Sequence, residues 1–203
     1  IKIRPLVYFL IAYFFYIDGV GTIIHMATIF GTNMGLDSNY LIVILLVVQL
    51  VAFPFAILYG KMSVKYGVRN MILFGIATYM VVCLVALGLE PLRLMGEIPL
   101  LLGFVVLAFL VGTAQGGIQA LSRSFYGKLV PESSANEFFG FFDIFGKFSA
   151  VLGPFLFSLV WDSTQQVHLG IIPVLLMFVI GLLLFLKVPS SMKKITLGSH
   201  AEK

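Results

Sequence analysis

Apolar residues gather in six stretches of membrane-crossing length, and the few polar residues inside them recur at helical spacing. The stretches run roughly Leu6 to Ala27, Tyr40 to Tyr59, Met71 to Leu89, Ile98 to Gln119, Phe138 to Trp161 and Gly170 to Val188. A helix needs about 20 apolar residues to cross the hydrocarbon core, so the pattern predicts an all-α polytopic membrane protein with six transmembrane helices in one domain, residues 1–203. An outer-membrane barrel would instead need strands of about ten residues with alternating polarity. Runs such as L-I-V-I-L-L-V-V, Leu41 to Val48, exclude it.

The polar positions divide the spans. Asp18, Thr22 and His25 lie four and three apart on the first, and Gln115, Gln119 and Ser122 repeat that spacing on the fourth, so each set shares one helix face. Gln49 and Pro54 mark the second span. The fifth holds Asp143 and Lys147, four apart and therefore expected to pair. A charge at bilayer depth is costly and by default marks a functional site. Spans three and six have no charged residue inside them, which makes them the expected lipid-facing helices, with spans one, two, four and five around a polar interior. The order polar, moderately polar, apolar occurs twice, in opposite senses, the pattern of a 3+3 inverted repeat. At about 1.5 Å per residue, Asp18 lies about 18 Å and Lys147 about 14 Å into the membrane, both near the midplane, with Asp143 shallower at about 8 Å.

Composition agrees with this reading. Of 203 residues, 60% are hydrophobic and 11% charged, against about 25% charged in soluble domains, and the mean hydropathy is +1.08. The net charge of +4 does not point to nucleic acid, because the basic residues sit in short loops rather than along one face. One side collects Lys2, Arg4, Lys61, Lys65, Arg69, Arg123, Lys128, Lys187, Lys193, Lys194 and Lys203, and the other only Arg93. Basic residues stay cytoplasmic, so both termini are expected there. Cys83 is the single cysteine, which excludes an intrachain disulfide and a thiol metal cluster. No enzyme motif is present: Ser122 lacks a neighbouring His and acid set, neither H-E-x-x-H nor CxxC occurs, and Gly116-Gly117 is followed by no P-loop lysine and serine. No cofactor or metal site is expected.

Four segments carry a family resemblance. The loop G-K-M-S-V-K-Y-G-V-R, Gly60 to Arg69, resembles the loop signature of the major facilitator superfamily through Gly60, Lys65, Gly67 and Arg69, with Val64 at the usual Asp position and Val68 at a basic one. Phe14 to Val20, Ala114 to Ser124 and Pro131 to Pro154 are similar to the branch containing the fungal autophagy-related vacuolar amino-acid effluxers and their bacterial relatives. The resemblance covers essentially the whole chain and implies the C-terminal six helices of a twelve-helix transporter, with the N-terminal six-helix half absent from this chain, which also starts without methionine. It implies alternating access between two six-helix bundles and export or exchange of a small solute, with amino acids as one expectation, in a bacterial inner membrane or plasma membrane.

The expected substrate or coupling-ion residues are Asp18, Lys147, Gln115, Gln119 and Thr22, with Asp143 and Lys147 as a gating ion pair and Asp18 the first choice for a proton-responsive group. Expected partners are the lipid bilayer, the solute, protons and the N-terminal half. Arg123 is expected to snorkel towards the cytoplasm, and the aromatic residues to pack. The rival readings are a membrane scaffold or receptor that keeps the fold without transporting, and a channel built from several copies. A transporter predicts that Asp18 and Lys147 border a cavity, and a scaffold that both are sealed in side-chain contacts.

Overall fold

The computed structural model describes residues 4–130 and 135–189. Lys2, Lys193, Lys194, Lys203 and the Pro131–Ser134 part of the resemblance lie outside the described residues.

The chain folds as α1 (Arg4–Met34), α2 (Ser38–Tyr66), α3 (Val68–Leu87), a short α4 (Glu90–Met95), α5 (Glu97–Leu129), α6 (Ala135–Thr164) and α7 (Ile171–Leu186), with a 3-10 turn at Val167–Gly170. Six helical segments among the described residues are long and apolar enough to cross a membrane. The protein is an all-α polytopic membrane protein of six such helices, an arrangement consistent with one half of a major-facilitator-type bundle. Helix α1, at 31 residues, is about 46 Å long at 1.5 Å per residue. It outreaches a hydrocarbon core of about 30 Å and must tilt or protrude.

Local chemistry sets the helix ends. The Asp37 carboxylate caps α2 by accepting from the Asn39 N–H at 2.8 Å. Gly67, at φ +86°, turns the chain between α2 and α3 in a region that glycine enters without steric cost. The Arg69 guanidinium then reaches across the bundle, its Nε donating to the Val188 carbonyl at 2.9 Å and its Nη2 to the Leu186 carbonyl at 3.1 Å. The last carbonyls of a helix have no partner within it, so Arg69 closes the end of α7 and staples it to the start of α3. At the opposite end of the bundle Glu90 pairs with Arg93 at 3.3 Å, and its other carboxylate oxygen lies 3.4 Å from His168 Nδ1 in the turn before α7.

Helices α1, α5, α6 and α7 are joined by aromatic packing near the bundle end that holds the start of α1 and the end of α7. Tyr13 stacks on Phe142 at 4.2 Å between ring centroids, Phe142 on Tyr126 at 4.7 Å, and Phe9 lies against Phe125, Tyr126 and Phe185. These rings pack, as the sequence suggests.

The helices expected to face lipid each have one buried and one exposed apolar edge, the exposed one carrying Phe74 and Leu84 on α3 and Leu176 and Leu183 on α7. Helix α3 packs on α5 and α7, and α7 packs on α1, with Ile72, Ile76, Tyr79, Val174 and Phe178 buried. The broadest exposed apolar faces belong to α2 and α6, with Leu50 74%, Phe53 72% and Phe148 69% exposed. Lipid tails and a protein interior are equally apolar, so a helix free of charges can occupy either. Nor does α2 face the polar cavity described below; its inward residues Ile44, Leu45, Val48 and Gln49 line an apolar crevice.

Candidate functional site

A cavity of about 540 Å³ lies between α1, α5 and α6, within the range of small-molecule sites. Its polar lining comes from His25 on α1, Gln119 and Arg123 on α5, and Asp143 and Lys147 on α6, with Tyr13 and Phe142 as apolar wall. The spacings read from the sequence explain the assembly. Asp143 and Lys147 are four apart on α6, and Gln119 and Arg123 four apart on α5, so two polar stripes face each other across one space.

The pairing within it differs from the expectation. Asp143 Oδ1 accepts from Arg123 Nη1 at 3.2 Å, and Arg123 also lies over the Phe139 ring at 5.3 Å. Asp143 therefore pairs across the α5–α6 gap rather than with Lys147, and Arg123 is a pairing residue rather than a snorkelling anchor. A guanidinium offers a planar fork that suits a carboxylate, and the long arginine side chain spans the gap between the two helices. Both side chains are about half exposed, so the pair adds little stability. Among the described residues Lys147 has no carboxylate within 4.0 Å. With Arg123 and Asp143 neutralising each other, Lys147 presents three N–H donors and an uncompensated positive charge to the cavity, which is chemistry for an anionic group.

Asp18 is elsewhere. Its side chain is 0% exposed and lies between α1 and α6, where Oδ2 accepts from the Gly153 N–H at 2.8 Å. Thr22 is buried beside it, its hydroxyl donating to the Asp18 carbonyl at 2.8 Å. Lys147 and Asp18 thus split the transporter and scaffold expectations: the lysine borders a cavity, and the aspartate is sealed. The glutamine stripe divides too. Gln119 faces the polar cavity, whereas Gln115 faces a crevice of about 90 Å³ lined by apolar residues, where its Oε1 is buried without a hydrogen-bond partner. Ser122 binds neither cavity: its Oγ donates to the Ile118 carbonyl at 2.6 Å and meets Tyr16 Oη at 2.7 Å.

In the loop segment, Arg69 and Gly67 have the structural roles given above, Lys65 lies over the Tyr66 ring at 5.2 Å, and a side chain at Gly60 would meet nothing within 4 Å. These residues stand apart from the cavity. Arg123 and His25 are not among the site residues expected from the sequence; for His25 the signal is present, as third member of the α1 stripe. No group of three His, Cys, Asp or Glu side chains able to hold a metal exists among the described residues.

Comparison with known proteins adds relatives. A family model described as "Vacuole effluxer Atg22 like" matches residues 1–196. The chain is 47% identical over 186 residues to an uncharacterized MFS-type transporter, YxiO, of Bacillus subtilis, covering 92% of this chain and 41% of that protein. It is 29% identical over 181 residues to autophagy-related protein 22 of Botryotinia fuckeliana, covering 83% of this chain and 29% of that protein. Against autophagy-related protein 22 of Kluyveromyces lactis it is 25% identical over 197 residues, covering 90% of this chain and 38% of that protein. The chain therefore spans well under half the length of these relatives.

Proposed function

The chain belongs to the family of vacuole effluxer Atg22-like proteins, and from that membership together with the cavity at Lys147 we propose that it forms the C-terminal six-helix bundle of a secondary transporter for a small solute. The bundle would work by alternating access against a second six-helix bundle, with both termini cytoplasmic and the cavity between α1, α5 and α6 as its share of the path. The observation that carries this reading is the Lys147 ammonium, with no carboxylate partner among the described residues, in a solute-sized cavity. Helices α2 and α6, packed on α5 and α1, leave wide apolar faces that a second bundle or lipid would cover. The solute's anionic group, a carboxylate in the case of an amino acid, would meet Lys147 beside Gln119, while the Arg123–Asp143 pair would open and close the mouth. Export is the proposed direction, in keeping with the effluxer description of the family.

The full burial of Asp18 favours a second reading, a scaffold that keeps the fold without moving solute. Flux separates the two. Proteoliposomes carrying the whole transporter would be assayed with a panel of labelled amino acids and other small carboxylates, beside Lys147→Ala and Lys147→Arg. Flux in the wild type, lost in Lys147→Ala and partly kept in Lys147→Arg, is the expected result. Equal flux in Lys147→Ala would overturn the role of the lysine, and no flux of any panel member in the wild type would favour the scaffold.

A further inference from the structure

Helix α6 is broken chemically at Gly153–Pro154. Pro154 has no N–H to give the Ala150 carbonyl, and its ring crowds the preceding turn, so the helix can bend there. Asp18 grips α6 at this break. Its Oδ2 accepts from the Gly153 N–H at 2.8 Å, while its Oδ1 is buried with no hydrogen-bond partner among the described residues. The grip depends on the glycine: a Cβ at position 153 would collide with Thr22 Oγ1 and stand 2.9 Å from Asp18 Oδ1.

The surroundings offer no counter-charge. On α6 the facing groups are Gly153 and Ser149, whose hydroxyl donates to the Gly146 carbonyl. On α7, Phe178 packs against Gly19 and Gly181 against Tyr16, both uncharged contacts. Tyr16 is bonded to Ser122 of α5, and Tyr79 of α3 stacks on Phe178. The nearest cation on α6 is Lys147, six residues before Gly153 and about 9 Å away along the axis; it lines the polar cavity, as does His25 seven residues along α1. No cationic side chain lies within 4.0 Å of Asp18 among the described residues. A buried carboxylate with one donor and no cation carries a large uncompensated desolvation cost. The bare Oδ1 has room in the hydrogen-bonding scheme for a proton.

We propose that Asp18 is a proton-binding site, and that loading the proton loosens its hold on the Gly153–Pro154 break and frees the half of α6 that carries Lys147 and Asp143 to swing. A hydrogen bond to an ionised acceptor is roughly twice as strong as one between neutral partners, so the proton weakens the grip without abolishing it. The arm that moves runs from Ala135 to Ala150 and includes the two charged residues that α6 gives the cavity wall, Asp143 and Lys147. Proton occupancy at one contact is thereby coupled to the shape of the other, a coupling that rests on the cavity at Lys147 being the solute path.

The test is infrared difference spectroscopy of the purified full chain in nanodiscs across a pH titration, with 13C-labelled aspartate. Asp37, Asp143 and Asp162 are exposed and Asp18 buried, so a protonated-carboxyl band that exchanges slowly with deuterium belongs to Asp18 and is assigned without any variant. It is expected to grow on acidification as one proton and to be missing in Asp18→Asn. In parallel, electron-spin distances between labels at Ile11 on α1 and Ile144 on α6, in a Cys83→Ala background, should change with the same titration. In Asp18→Asn they should stay at the acid value at every pH. A wild type with no such band, or with distances that do not respond to pH, overturns the proposal, as does an Asp18→Asn protein that keeps both responses. Lys147→Ala should retain the band and the distance change; if it does so while flux is unaffected, the cavity reading fails and the proton site stands.

Discussion

Replacing Arg69 by Ala removes the only side-chain tie between the start of α3 and the end of α7 among the described hydrogen bonds. The Nε bond to Val188 is partly buried and, with a charged donor, is worth about 1.5 kcal/mol net. The Nη2 bond to Leu186 is exposed and adds about 0.5 kcal/mol after screening. The expected loss is therefore about 2 kcal/mol. Cys83 supplies the assay: it is the sole cysteine, sits on α3, and is 0% exposed. A thiol-reactive dye in detergent reaches it only when the bundle opens, so the labelling rate reports the opening equilibrium when closing is fast. A 2 kcal/mol loss raises that rate about thirty-fold. Arg69→Lys keeps the charge near the end of α7, which favours a cation, but lacks the planar fork; it should fall between, at about three- to ten-fold. Labelling of Arg69→Ala within two-fold of wild type would refute the staple, and equal losses in the two variants would refute the fork as its basis.

Two further outcomes follow from the packing. Because Ser122 Oγ gives its hydrogen to the Ile118 carbonyl, Tyr16 must be the donor in their 2.7 Å contact; Tyr16→Phe should then cost about 1 kcal/mol. Ser122→Ala strands the buried tyrosine hydroxyl and should cost about 1–3 kcal/mol, an order that detergent thermal denaturation can check and that reversal would contradict. Gly117→Ala places a Cβ against the buried Tyr59 side chain, 2.8 Å from its Cβ, and overpacking of this kind costs about 1–3 kcal/mol. Gly60→Ala, with nothing within 4 Å, should instead stabilise α2 by about 0.5–1 kcal/mol, both read from the same melting assay.

By itself the chain's order of residues determines the class of protein and the content of each helix. Runs of about 20 apolar residues dictate membrane helices because the bilayer leaves no other partner for the backbone. Four-residue spacing dictates that Asp143 shares a face with Lys147, and Gln115 with Gln119. What spacing along one helix leaves open is which neighbour that face meets. Asp143 has two cations within geometric reach, and only the placement of α5 beside α6 assigns it to Arg123 and leaves Lys147 in the cavity with no carboxylate partner among the described residues. Asp18 and Lys147 look alike in the sequence, each a charge near the midplane, yet one is sealed against a backbone N–H and the other borders a cavity, because Gly153 lets α1 and α6 touch at one level and the helices part at another. Hydrophobicity could not separate lipid-facing helices from core ones either. A bilayer and a protein interior make the same demand on a side chain, so which edge of α3 and α7 is buried, and how wide a face α2 and α6 leave exposed, were decided by tertiary packing.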